Sequence, residues 1–336
     1  MSVTSYGDIS QRTAAWAAVD MLSHAEPIIV LGRYGQMKPM PKNKAEQVKF
    51  RRPIPFTVST TPLVEGVTPA SQKMRYEDVS ATLNQYGGLT EITDRINDLA
   101  EDPVLSDSTE LLGENAAETI ELVTYGVLKA GTNVFYGAAA DSARSDVNDP
   151  ISIDRQRAVV KFLNRQRGKT IKKMMKAGPN YGTEPVAPAF LAFASTDCES
   201  DIRDLPGFVP SEKYAGMDVL PYEVGKCESV RYILSPLLEP FEGEGSATLN
   251  GMTAADATNV DVYPIIFIAQ EAYGLIPLKG KEAIKPMVMN PDTVSKSDPL
   301  AQRGFVSWKT WFACVRLNEA WMARVEVGAT DLGDPQ

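Results

Sequence analysis

The chain has 336 residues, 43% of them hydrophobic and 23% charged, with a net charge of −9. This composition suits a soluble globular protein of one large domain or two to three small ones, and it excludes a chain drawn as a whole to nucleic acid or to an anionic membrane. Cys198, Cys227 and Cys314 are far apart and form no C-x-x-C, which excludes a disulfide framework and a structural zinc site and reads as buried thiols in a reducing cytosol. The first residues, Met1 to Asp8, are polar and predict no secretory signal. The longest apolar run, near Tyr263 to Ala269, is too short to span a bilayer.

In chain order, Ser10 to Ala25 predicts a helix, with Ala15, Val19 and Leu22 on one side, Trp16 beside them and Pro27 as its boundary. An isolated helix of that length is marginal in water, so it must lie on something. From Leu31 to Gly88 the chain is punctuated by Pro39, Pro41, Pro53, Pro55, Pro62 and Pro69 and carries the basic residues Lys42, Lys44, Lys49, Arg51 and Arg52. Two extended pieces, Ala45 to Phe50 and Val79 to Tyr86, predict a long hairpin with few core residues. In the second piece Val79, Ala81 and Leu83 face one way. A lone hairpin is barely stable in water, so this one must lie on its own domain or on a neighbouring subunit. Leu89 to Ile96 predicts another short strand.

Beyond Asp102-Pro103, the residues Leu112, Ala116, Ile120, Val123 and Val127 recur at helical spacing, the strongest such signal in the chain. Asp107, Glu110 and Glu114 near its start suit the helix dipole, and Gly131 follows its end. Gly137 to Pro150 is small and polar, a boundary. Ser152 to Arg167 predicts a second helix that buries Ala158, Val159, Phe162 and Leu163. Phe190 to Ala194, Val230 to Leu234, Val260 to Ala269, Phe305 to Leu317 and Met322 to Val327 predict strands, and Glu242 to Ala257 a loop. The last segments hold Trp308, Trp311 and Trp321 and read as strands packed on both sides. With no βαβ alternation and no solenoid-length repeat, the class is α+β.

Catalytic signals are sparse. His24 is the one histidine, so any serine or cysteine triad must use it, and its place at a helix end beside Pro27 reads as structural. Gly168-Lys169-Thr170 lacks the earlier glycine of a phosphate-binding loop, since Leu163 stands there within a helix. Asp197 to Asp201 spaces acids like a calcium loop but has Ile202 where the turning glycine belongs, and reads as a helix start or a surface turn. Charge, by contrast, is segregated. Arg155 to Lys176 holds nine basic residues, Lys172 and Lys173 among them, and no acid. Leu89 to Glu121 holds ten acids against Arg95 alone. The basic segment reads as a solvated helix face, a nucleic-acid patch without interleaved aromatics, or a surface that docks on the acidic segment of another copy.

Several phrases stand in one order along the chain: Gly32 to Lys44, Phe50 to Arg52, Thr61 to Pro69, Gln85 to Gly87, Glu91 to Asp94, Asp102 to Leu105, Leu112 to Glu114, Ala130 to Val134, Leu205 to Pro210 and the tryptophan-rich end. Together they resemble the major capsid proteins of tailed bacteriophages, of the group found in podoviruses that carry a virion RNA polymerase. The resemblance covers about Ala14 to Ala329. It implies a Hong Kong 97-type capsid fold with an N-terminal arm (1–27), an extended β-hairpin loop (28–88), a peripheral domain with a long spine helix near Asp107 to Lys129 (89–149), an axial domain (150–275) and a return to the peripheral domain with the C-terminal strands (276–336). It implies a non-enzymatic shell subunit, without cofactor or metal, that assembles in the host bacterial cytoplasm with copies of itself into hexamers and pentamers of an icosahedral head around double-stranded DNA. Further partners are a portal, a separate scaffold protein and, optionally, a decoration protein; no membrane is involved. The separate scaffold is expected because few residues precede the arm. Lys42 and Lys44 could donate to a covalent cross-link, but no acceptor is identified and non-covalent closure is expected. Lys42, Lys44, Lys49, Arg51, Arg52, Lys172 and Lys173 are the inter-subunit candidates. Two alternatives stand beside this reading: a shell protein of an encapsulin-like nanocompartment and a basic-patch nucleic-acid-binding protein.

Overall fold

A computed structural model describes residues 29–40, 46–54, 56–62, 65–66, 68, 71–93, 104–175, 183–214, 219–278, 285–289, 300 and 302–333. The helix expected at Ser10 to Ala25, with His24, lies outside them. In chain order the elements are β1 (Gln36–Met37), β2 (Gln47–Pro53), β3 (Tyr76–Thr82), β4 (Asn84–Thr93), α1 (Val104–Lys129), β5 (Val134–Tyr136), α2 (Ile153–Arg165), β6 (Ile171–Met175), β7 (Thr183–Ala194), α3 (Glu199–Arg203), β8 (Phe208–Pro210), β9 (Glu223–Cys227), β10 (Val230–Leu234), β11 (Tyr263–Ile268), β12 (Tyr273–Pro277), β13 (Lys285–Met289), β14 (Arg303–Arg316) and β15 (Met322–Val327).

An eight-stranded sheet runs β5-β15-β11-β7-β10-β9-β8, with β6 paired to the first part of β7. Successive side chains of a strand point to opposite faces, and here both faces are covered. Phe190, Ala192, Ile265, Phe267 and Tyr232 pack on one side with Val159 and Leu163 of α2 and Ile202 of α3. Leu191, Phe193, Ile233, Ile266 and Ile268 pack on the other with Tyr125 and Leu128 from the end of α1. That double coverage explains why β10, β11 and β15 are buried at every position.

The second sheet is organised around β14. Strand β4 pairs with it from Arg303 to Phe312 along one edge, while β13 and β12 share its other edge end to end and β1 lies parallel to β12. The residues of β14 alternate in purpose. Val306 and Trp308 face α1, meeting Leu112, Ala116 and Ala117, whose small alanines let the helix approach closely. Ala313, with half-buried Trp311 and Val315, faces the other way, onto the base of the β2–β3 hairpin. The expectation of C-terminal strands packed on both sides holds for both sheets, but β14 and β15 go to different sheets.

Two expectations change in detail. The extended stretch Val79 to Tyr86 is not one strand: it breaks at Leu83, which is buried and whose amide donates to Glu46 O at 3.1 Å. Beyond the break, residues 84–93 form a single strand because β14 supplies a continuous partner. The hairpin is also less short of core than its sequence suggests, since Val48, Phe50, Ala81 and Leu83 are buried against Ile276 and Ala313. Gly168 to Thr170 connect the turn after α2 to β6, with Gly168 N donating to Leu163 O at 2.9 Å. Asp197 to Asp201 opens α3 as a capped turn, and Asp201 accepts from Thr330 N and Thr330 Oγ1 at 2.9 and 2.6 Å.

Candidate assembly interfaces

The hairpin is a two-part object. Its base is pinned by Phe50, which lies over Gly274 so closely that a Cβ there would come within 2.9 Å of the ring, and by the Lys38 ammonium 5.0 Å from the Phe50 ring centroid. Its ladder runs from Gln47 opposite Thr82 to Pro53 opposite Tyr76. Beyond the ladder the two arms stay together through Ile54 N to Arg75 O at 2.9 Å and through the Gln72 side chain, which both accepts from Thr57 N and donates to Thr57 O. The outer part presents Ile54, Phe56, Val58, Met74 and Tyr76 to solvent, with Val58 71% exposed. Ile54, Phe56 and Val58 continue the face of Val48 and Phe50, while Met74 and Tyr76 lie on the opposite face with Arg51 and Asp78; uncovered apolar side chains of this kind are what an unmade interface looks like. Sequence reading had marked the hairpin by its basic residues and missed these side chains, although the alternation at Ile54, Phe56 and Val58 was there to be read.

The basic candidates fall into two groups that the fold keeps apart. Lys42 and Lys44 lie outside the described residues. Lys49 is exposed on β2, and its carbonyl accepts from the Lys38 ammonium at 2.8 Å. Arg51 grips Asp78 across the hairpin with two hydrogen bonds of 2.8 and 2.9 Å, and this pairing holds the Asp78 carboxyl below its ordinary pKa. Arg52 pairs with Glu77 one step along. Cross-strand pairs of this kind fix register and contribute little stability where exposed. Arg51 and Arg52 therefore staple the hairpin to itself rather than stand as free cations. Lys172 is exposed on β6, on the other sheet, and Lys173 follows in the same strand opposite Pro185. Arg155 to Lys169 lie on α2 and the turn after it, where Arg157 pairs with Glu228, and Lys176 lies outside the described residues.

Two buried charge sites escaped sequence reading. At the start of the described chain, the Glu121 carboxylate of α1 is fully buried and accepts from Leu31 N at 2.8 Å, tying the turn at Leu31–Arg33 to the spine of the fold. Burial pushes its pKa up to about 7, against the lowering effect of the amides around it and of Arg33. In the eight-stranded sheet, Glu223 takes Arg231 Nε at 2.8 Å, Tyr214 OH at 2.6 Å and Leu220 N at 2.8 Å. Two of the three thiols are buried as expected, Cys198 and Cys227; Cys314 is half-buried, and the burial of its thiol pushes its pKa up to about 12. Among the described residues no group of three or more His, Cys, Asp or Glu side chains could hold a metal ion, and no helix is long and apolar enough to cross a membrane.

A sheet with a long helix on one face, an extended hairpin on the other and a second sheet beyond is an architecture with known relatives. The sequence profile of the phage capsid protein family matches residues 76–313. The chain belongs to that family. This capsid protein is similar to the major capsid protein of Pseudomonas phage KPP21, with 23% identity over 268 residues; the match covers 74% of this chain and 66% of the relative, a little under two thirds of the relative's length. Its fold is the Hong Kong 97-type capsid fold. The capsid of Ralstonia phage GP4 superposes with a TM-score of 0.67 at 12% identity over 90% of this chain and 88% of that one. The SrpI encapsulin of Synechococcus elongatus shares the fold more loosely, with a TM-score of 0.50 at 11% identity over 90% of this chain and 88% of that one.

Proposed function

We propose that the chain is the major capsid protein of a tailed-phage head, a structural subunit that assembles into hexamers and pentamers of an icosahedral shell around double-stranded DNA. In this reading it assembles in the host cytoplasm on a separate scaffold, around a portal. The observation that carries the proposal is the hairpin: its base is buried in its own chain, while its outer half offers Ile54, Phe56, Val58, Met74 and Tyr76 with nothing among the described residues to cover them. A neighbouring subunit supplies the missing cover. Each contact of this kind is modest, and closed symmetry multiplies it into a stable shell.

The five-stranded sheet with α1 corresponds to the peripheral domain, and the eight-stranded sheet with α2 and α3 to the axial domain. In that assignment β15 belongs to the axial sheet, whereas β12 to β14 belong to the peripheral one. Lys42, Lys44 and Lys49 then sit on the loop that reaches the neighbour, and closure is non-covalent. The match of residues 76–313 to the phage capsid protein family, and the similarity to a phage major capsid protein, favour a DNA-filled head over a nanocompartment.

The test is removal of the outer hairpin. Replacing residues Ile54 to Arg75 by a short Gly/Ser bridge removes the exposed outer part and leaves the β2–β3 ladder, with Val48 and Phe50, in place. The variant is expected to be soluble and folded by circular dichroism and to form no closed particles by electron microscopy. Closed particles from the variant would show that the hairpin is not the assembly element. Shells of the intact chain that copurify with protein cargo and lack DNA in infected cells would favour the nanocompartment reading.

A further inference from the structure

The proposed shell contact leaves the segregated charge unexplained. On α1 the outward face carries Asp107, Glu110, Glu114 and Glu118, with no basic residue before Lys129. Two leucines stand exposed among these acids, Leu111 at 64% and Leu122 at 39%. On α2 the outward face holds a shallow depression of about 480 Å³ lined by Arg157, Val160, Lys161, Asn164 and Arg165. Its apolar floor is half-buried Val160 and the aliphatic stems of the long cations around it. Neither Lys161 nor Arg165 makes an ion pair among the described residues, and neither do Glu114 and Glu118.

The two faces match in spacing as well as in sign. Lys161 and Arg165 stand four residues apart, and so do Glu114 and Glu118; each step is a rise of about 6 Å along a helix. Leu111 sits beside Glu110 and one turn before Glu114, as Val160 sits beside Lys161. A leucine that enters the α2 depression therefore brings Glu114 and Glu118 towards Lys161 and Arg165. The faces cannot meet within one chain. Val159 and Leu163 of α2 pack on one side of the eight-stranded sheet and Tyr125 and Leu128 of α1 on the other, so the sheet stands between the helices.

We infer that the acidic, leucine-bearing face of α1 docks on the basic depression of α2 in a second copy of the chain. This inference rests on the shell reading and names a contact within it. The contact is heterologous, one patch meeting a different patch, and heterologous contacts close into rings when the rotation between copies allows. Sign and spacing set the register, while the buried leucine excludes water from the ion pairs and strengthens them. The competing use of a basic face, contact with packaged DNA, requires no leucine and no matched acidic row.

A double variant, Leu111→Cys with Asn164→Cys, tests the geometry. Mild oxidation of capsomers in solution, and of shells where they form, is expected to give a disulfide-linked ladder of dimers and higher species on a denaturing gel. Either single variant should give no such ladder, because it lacks one of the two facing thiols and the native Cys198 and Cys227 are buried and Cys314 is half-buried. Charge tests the energetics. Lys161→Glu with Arg165→Glu is expected to slow assembly about tenfold at low salt, less at high salt, and Glu114→Lys with Glu118→Lys in the same chain should restore the rate. Absence of a ladder from capsomers, or wild-type assembly by the reversed variant, overturns the contact. Normal assembly with poor DNA retention assigns the basic face to DNA instead. If capsomers of the double-cysteine variant give the ladder while the wild type never forms a closed shell, the shell reading fails and the contact stands.

Discussion

Phe312 is the residue whose loss should be felt furthest, because its cluster spans both sheets. It sits in β14 between Asn84 of β4 and Pro277 of β12, and it packs with Leu275 on its own sheet and with Leu191, Ile233 and Ile266 of the eight-stranded sheet. Truncation of a buried phenylalanine to alanine costs about 3–5 kcal/mol, transfer and cavity terms together. An unfolding entropy of about 2.1 cal/mol/K per residue over this chain sums to about 0.7 kcal/mol/K, so Phe312→Ala should lower the melting temperature by about 6 °C. Phe312→Leu keeps most of the volume and should cost about 1.5 kcal/mol, or about 2 °C. Calorimetry of the unassembled subunit measures both, free of stabilisation by neighbours in the shell. A shift below about 1 °C for the alanine variant, or equal shifts for the two variants, would refute the account of Phe312 as a core bridge.

Glu121 predicts a pH dependence. Its folded pKa, about 7, lies above its ordinary value of 4.5, so the folded state holds the proton more tightly than the unfolded one. Its contribution to stability is complete below pH 4.5, falls as pH rises towards 7 and is flat above that, a total of about 3 kcal/mol. Urea midpoints from pH 4.5 to 8 should decline for the wild type and lose that component in Glu121→Gln; the same slope in both would assign it to other groups. Glu223→Gln should destabilise the subunit by about 3–5 kcal/mol, because it leaves the Arg231 guanidinium buried without its counter-charge. The double variant Glu223→Leu with Arg231→Met should recover most of that loss, and a double variant as unstable as the single one would place the cost in packing rather than in charge.

Much of this protein is legible in its residues one segment at a time. The helical spacing of Leu112, Ala116, Ile120, Val123 and Val127 marks α1 because that period exists only if one face is buried, and α1 indeed runs from Val104 to Lys129. The second helix is observed at Ile153–Arg165, inside the predicted Ser152 to Arg167, and capped by Ser152 as its sequence invites. The family too could be read from the order of phrases along the chain. What local pattern could not decide is partnership. The run Val79 to Tyr86 alternates without interruption, and only the switch from the β2 ladder to the β14 ladder breaks it at Leu83. A strand such as β11 is apolar throughout, which says that both faces are covered but not by what. The parallel pairing of β10 with β7 and the placement of β14 and β15 in different sheets are choices among distant segments. Glu121 and Glu223 look like any surface acids in the sequence. Their burial is set by where the Leu31 amide and the Arg231 guanidinium arrive in space, 90 residues away in the first case, and that is a property of the tertiary structure alone.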